Sequence, residues 1–170
     1  MEESKFSFYE RRTIEWNGAS NSVVMIDQTL LPTELKLIEC KSVSEVIDAI
    51  KTMKIRGAPA IGVAGAMGVA LSTFSSSATK RDQLLRDLEP DAIALKAARP
   101  TAVNLSWGVN QMVDHLRSSL PNEFSEDEPK RIAVDFVMKL ADSDVETNKK
   151  LSDLGAKLFR NNETVLTHCN

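Results

Sequence analysis

Residues 54–71, KIRGAPAIGVAGAMGVAL, constrain the fold more than any other stretch of the chain. Four of the seven glycines fall here (Gly57, Gly62, Gly65 and Gly68), and nearly everything between them is small and apolar. Gly62, Gly65 and Gly68 recur every third residue, so on a helix they drift slowly around one face. Together with Ala58 and Ala66 they let the backbone of another element come close. Ahead of them, Gly57 suits the left-handed position that ends a helix, and Pro59 suits the first position of a new one. The backbone N–H groups from Ala60 onward then have no intrahelical partners, and with the positive helix end they can hold an anion. Arg56 would add a planar, permanently charged fork matched to phosphate oxygens. The same spacing equally fits a buried packing helix preceded by a turn arginine that binds nothing.

The flanking segments point to an α+β chain. Residues 5–39 read as β: Phe6, Phe8, Ile14 and Trp16 alternate with polar neighbours, and Asn17-Gly18 opens a turn running through Asn21. Residues 23–26 and 35–38 are further strand candidates, so a small antiparallel sheet of about three strands is expected. Ser42 and Glu45 form a capping box ahead of Val43, Val46, Ile47, Ile50 and Met53 at helical spacing. That helix is expected to end at Arg56-Gly57, and the glycine-rich helix to reach about Leu71. After a polar connector at 72–80, a short helix with Leu84, Leu85 and Leu88 is interrupted at Glu89-Pro90 and followed by helix to Ala98. Thr101 is placed as the cap of a helix carrying Leu105, Val109, Met112, Val113 and Leu116. An acidic loop at 121–130 leads to a long helix opened by Pro129, with Ile132, Phe136, Val137 and Leu140 on its apolar side. A polar patch at 142–148 is a candidate bend, Leu151, Leu154 and Leu158 continue the helix, and 164–168 read as a strand.

Composition bounds the function classes. The chain has 170 residues, 42% hydrophobic and 26% charged, which suits one domain with a sizeable core. A net charge of −3 favours neither nucleic acid nor an anionic membrane, so any anion site must be local. Two cysteines far apart (Cys40 and Cys169) and two histidines offer no zinc-ligand set. Both thiols are read as reduced, in a cytoplasmic protein. The N-terminal MEESKFSFYERR lacks the apolar core of a signal peptide. The apolar run 58–71 is too short and too glycine-rich to span a bilayer.

A second arginine repeats the logic of the first. Arg99-Pro100-Thr101 places a guanidinium just before another helix start, where it can either cap the preceding helix or join Arg56 at one phosphate. Asn104 and Gln111 share a helix face and can line a polar pocket or satisfy buried backbone. Asp142, Asp144 and Glu146 are read as a solvated face, since no loop gathers them around a metal. Asp27-Gln28-Thr29 is read as a side-chain-stabilised turn, and His115 as a surface histidine. Cys169 lies at the end of an expected strand, where open α/β sheets place ligands, although a lone cysteine is ordinarily a small buried hydrophobe.

RGAPAIG at 56–62, IDQTLLP at 26–32, RPTAVNLSW at 99–107, NKKLSDLGAKLF at 148–159 and LTHCN at 166–170 stand in an order that resembles the S-methyl-5-thioribose-1-phosphate isomerase family. That family shares ancestry with ribose-1,5-bisphosphate isomerases and the regulatory subunits of translation initiation factor 2B. The resemblance implies binding of a sugar phosphate by Arg56, Gly57, Ala58 and Arg99, with Cys169 assisting the transition state. It implies conversion of 5-methylthioribose 1-phosphate to 5-methylthioribulose 1-phosphate in methionine salvage, without metal or redox cofactor, by a homodimer of the full-length protein. The aspartate that moves the proton in the family has no counterpart here.

On this reading residues 1–40 form the small β region and 41–162 the helical region of one N-terminal domain. Residues 163–170 form the first strand of a missing Rossmann-like domain. The chain is accordingly expected to be a fragment that does not turn over substrate alone. The alternatives left by the residues are a ribose-1,5-bisphosphate isomerase and a non-catalytic regulatory module of the initiation-factor type.

Overall fold

The computed structural model describes residues 12–166, so the strand expected around Phe6 and Phe8, and Cys169 itself, lie outside the described residues. The architecture is α+β. Three short strands, β1 (Ile14–Asn17), β2 (Ser22–Ile26) and β3 (Leu37–Cys40), form an antiparallel sheet in the order β1-β2-β3. Trp16 pairs with Val23, and Val23 with Cys40. The Asn17-Gly18 turn forms as expected, with Asn17 Oδ1 accepting from Ala19 N at 3.0 Å, but the left-handed residue is Asn21 rather than the glycine. The third strand lies about two residues later than its hydrophobic run suggested, because Leu35 and Leu37 are exposed while Cys40 faces the core.

Helices α1 (Val43–Lys51), α2 (Ala58–Thr73), α3 (Arg81–Ala98), α4 (Val103–Ser119) and α5 (Asp127–Ala156) follow. The capping box on α1 is present in both directions between Ser42 and Glu45. The helix stops at Lys51, not at Arg56-Gly57: Met53 takes the left-handed position, and Ile55 N then bonds back to Ala49 O at 3.3 Å. Burying the Ile55 side chain fixes this earlier stop.

Helix α2 is the centre. Every residue from Ile61 to Thr73 is buried, and the helix packs against α1, α3, α4, α5 and the sheet. The glycines make this possible. A Cβ on Gly62 would stand 3.0 Å from the Asn104 carbonyl oxygen, and one on Gly65 2.8 Å from Leu105 Cδ1. Gly68 faces Leu95 of α3. Across the contact, a Cβ on Gly108 would collide with the Gly62 carbonyl, so α2 and α4 cross backbone to backbone.

Helix α3 runs unbroken through Pro90, against the expected interruption. Leu84, Leu88, Ala92, Leu95 and Ala98 are buried on one side while Pro90 is exposed, so the burial of the stripe outweighs one missing hydrogen bond on the wet face. Thr101 is not the cap of α4. A turn closes from Ala102 N to Arg99 O at 3.0 Å, and the uncapped Ala102 precedes the helix. Helix α5 begins two residues before the buried Pro129 and continues through 142–148 as one element. Leu151, Leu154 and Leu158 lie exposed, so that stripe covers nothing among the described residues. Residues 163–166 carry no strand, and Val165 and Leu166 are exposed.

Candidate functional site

A surface cleft of about 810 Å³ lies where β1, β2, the turn after β2, the start of α2 and the second half of α5 meet. Its walls mix apolar side chains (Ile14, Ile26, Val63, Val145) with Arg12, Gln28, Arg56 and Lys149. Arg56 is exposed and forms no ion pair among the described residues. By contrast, Arg12 is held by Asp142 at 2.6 Å and Lys149 by Glu146 at 3.2 Å.

Gly57 is the N-cap of α2, at φ 90° and ψ 129°, a conformation that strains any residue with a Cβ. The positive φ was legible in the sequence; its place, opening α2 rather than ending α1, was not. No side chain caps this helix end. Ile61 N already bonds to Gly57 O at 2.9 Å, and Pro59 has no N–H, so among the described residues the free donors at this helix end are those of Gly57, Ala58 and Ala60. That set begins before Ala60 and ends sooner than the run expected from Ala60 onward; Gly57 and Ala60 line the cleft beside Arg56, and Ala58 does not.

The structure brings Arg56 and Gly57 to the cleft, with the exposed Ala58 as the first residue of α2. Arg99 is half-buried at the junction of α3 and α4 and is not among the residues lining this cleft. The glycine crossing sets the two helix starts near each other. Asn104, the second residue of α4, lies on Gly62, about 6 Å along the axis from the start of α2. Gln111 is exposed and Asn104 half-buried.

The remaining candidates sort themselves by surroundings. Asp27 Oδ1 accepts from Thr29 N at 3.1 Å and from Thr29 Oγ1 at 2.6 Å, the expected turn. Cys40 is buried, and desolvation, aided by Glu45, pushes its thiol up to about 11. It is therefore no nucleophile. His115 is not a simple surface residue: its ring stacks on Phe136 at 4.3 Å, and burial followed by Lys139 lowers its pKa. Among the described residues no three His, Cys, Asp or Glu side chains gather as for a metal, and no helix is long and apolar enough to cross a membrane. Sequence reasoning missed Arg12, Gln28 and Lys149 as cleft residues. They come from three distant segments; Gln28 lies in IDQTLLP and Lys149 in NKKLSDLGAKLF, but neither stretch marked its residue as part of a cleft.

Residues 54–170 match the Initiation factor 2 subunit family, and the chain belongs to it. Within that family, the chain is 46% identical to a Methanosarcina acetivorans protein provisionally named methylthioribose-1-phosphate isomerase, across 94% of this chain and 44% of that one. Similar solved structures include two that cover most of this chain. Subunit delta of the translation initiation factor eIF-2B from A. fulgidus has a TM-score of 0.79 at 40% identity, covering 94% of this chain and 45% of its own. The 5-methylthioribose 1-phosphate isomerase of Pyrococcus horikoshii has a TM-score of 0.76 at 41% identity, covering 87% and 40%. The chain thus spans under half the length of the relatives it matches.

Proposed function

We propose that this chain forms the N-terminal part of a sugar-phosphate aldose–ketose isomerase that converts 5-methylthioribose 1-phosphate to 5-methylthioribulose 1-phosphate. The observation that carries this reading is Arg56, an exposed guanidinium without an ion pair among the described residues, set beside the Gly57 turn and the free N–H groups of α2 at an open cleft. The names of the Methanosarcina and Pyrococcus relatives support it.

The chemical task explains the mixed cleft. The anomeric carbon carries phosphate, so the ring must be opened with the phosphate in place before hydrogen moves from C2 to C1. Arg56 and the free N–H groups at the start of α2 would hold the phosphate, with Arg99 as its second guanidinium. The apolar wall would lower the water content around the proton transfer. Cys169 would assist the transition state. The same reading places the protein in the cytoplasm and in methionine salvage, and assembles the full-length protein as a homodimer.

A second reading, a regulatory binding module, is favoured by the initiation-factor subunit, whose fold matches with the higher TM-score of the two structures. A chimera separates them. Residues 1–170 replace the matching part of the Methanosarcina relative, and ketose formation from 5-methylthioribose 1-phosphate is assayed. The isomerase reading expects turnover that Arg56→Ala reduces at least tenfold, a charge-assisted bond being worth roughly 1.5–3 kcal/mol. A folded but inert chimera, beside an active parent, would overturn the isomerase reading in favour of the module.

A further inference from the structure

We propose that Gln28 is a positioning residue for Arg56, a role that rests on the sugar-phosphate reading of the cleft. Gln28 grips the segment ahead of α2 at two points. Its backbone N donates to Lys54 O at 2.9 Å, and its side-chain Nε2 donates to Arg56 O at 3.2 Å. Between these points Ile55 is fully buried, so Lys54-Ile55-Arg56 is held from both faces. Gln28 is itself held: Asp27, buried beside it, receives the Thr29 N–H and hydroxyl and donates its own N–H to Lys36 O at 2.8 Å.

The consequence falls on Arg56. Its side chain has no carboxylate to fix it among the described residues, so its backbone sets where the guanidinium can reach. The peptide joining Arg56 to Gly57 precedes a residue at φ 90°, and the carboxamide on Arg56 O is the side-chain bond that opposes rotation of that peptide. Gln28 lines the same cleft as the arginine it holds. Asp27 builds the scaffold of the turn, whereas the half-buried Gln28 aims the group that binds.

The test uses labelled chain 1–170, with D-ribose 1-phosphate as probe. In the free protein, Gln28→Ala is expected to move the Arg56 carbonyl carbon resonance toward its non-hydrogen-bonded value and to lower the heteronuclear NOE of the Arg56 Nε–H. The thermal midpoint should stay where it was. Affinity for ribose 1-phosphate should fall about three- to tenfold, the loss of one hydrogen bond's worth of order. An unchanged carbonyl resonance and NOE would overturn the proposal, as would a shifted resonance with unchanged affinity. Failure of the unsubstituted chain to bind ribose 1-phosphate would count against the sugar-phosphate reading alone, because the free-protein signals still decide whether Gln28 holds Arg56.

Discussion

Replacing Gly108 with alanine should separate the two central helices. Both Gly62 and Gly108 lie inside helices at ordinary φ, so the substitution strains no backbone angle. Alanine is itself the better helix former by about 1 kcal/mol. Against that gain, the new Cβ collides with the Gly62 carbonyl, and a backbone atom of a buried helix cannot swing aside. Helix α4 must move outward, loosening Leu105 and Val109 on Gly65. Overpacking of this kind costs roughly 1–3 kcal/mol, and the backbone target puts it at the upper end. The net expectation is a loss of about 2 kcal/mol. With a urea slope near 2 kcal/mol/M, the unfolding midpoint followed by circular dichroism should fall by about 1 M. Gly68→Ala is the matched control. Its Cβ would meet Leu95 Cδ2 at 2.8 Å, the far end of a side chain that can turn, so its midpoint should change by less than about half as much. A Gly108→Ala protein as stable as the parent, or a larger loss at Gly68, would refute the claim that backbone contact sets this crossing.

Other consequences follow from single contacts. Ser42→Ala removes the oxygen that accepts from Glu45 N and should cost about 1 kcal/mol in the same urea titration. Because burial lowers the His115 pKa in the folded chain, its contribution is full above the unfolded value and is lost as pH falls through the folded one. Stability should therefore decline on acidification below about pH 6.5, and His115→Gln should flatten that part of the profile. Cys40, pushed from 9.0 to about 11, adds stability below the unfolded value that is lost as pH rises toward 11. In a Cys169→Ser protein at pH 8, the remaining thiol should react with Ellman's reagent only on unfolding; rapid reaction in the native state would show Cys40 to be accessible.

Local chemistry made several elements readable in advance. Ser42 and Glu45 cap α1 because two orphan donors and two acceptors lie three residues apart on any chain. Asp27 reaches Thr29 for the same short-range reason. The glycine spacing announced a helix built for close approach, and it is buried along nearly its whole length. In each case the interacting groups lie within a few residues, where backbone geometry alone sets the distance.

What approaches that helix is a different kind of fact. Nothing near Gly108 in the chain announces its role, which appears only where α4 crosses α2 at Gly62, 46 positions earlier. Pro90 reads as a stop by local rules, yet α3 continues because α2 and α4 bury the stripe opposite it. The cleft shows the same division. Arg56 and Gly57 were marked by their own neighbours, but Arg12, Gln28 and Lys149 join them only because the sheet and the second half of α5 pack around the start of α2. A sequence specifies contacts between residues that share a turn of backbone. Contacts between distant segments depend on which buried faces meet, and that competition is resolved only by the packed molecule.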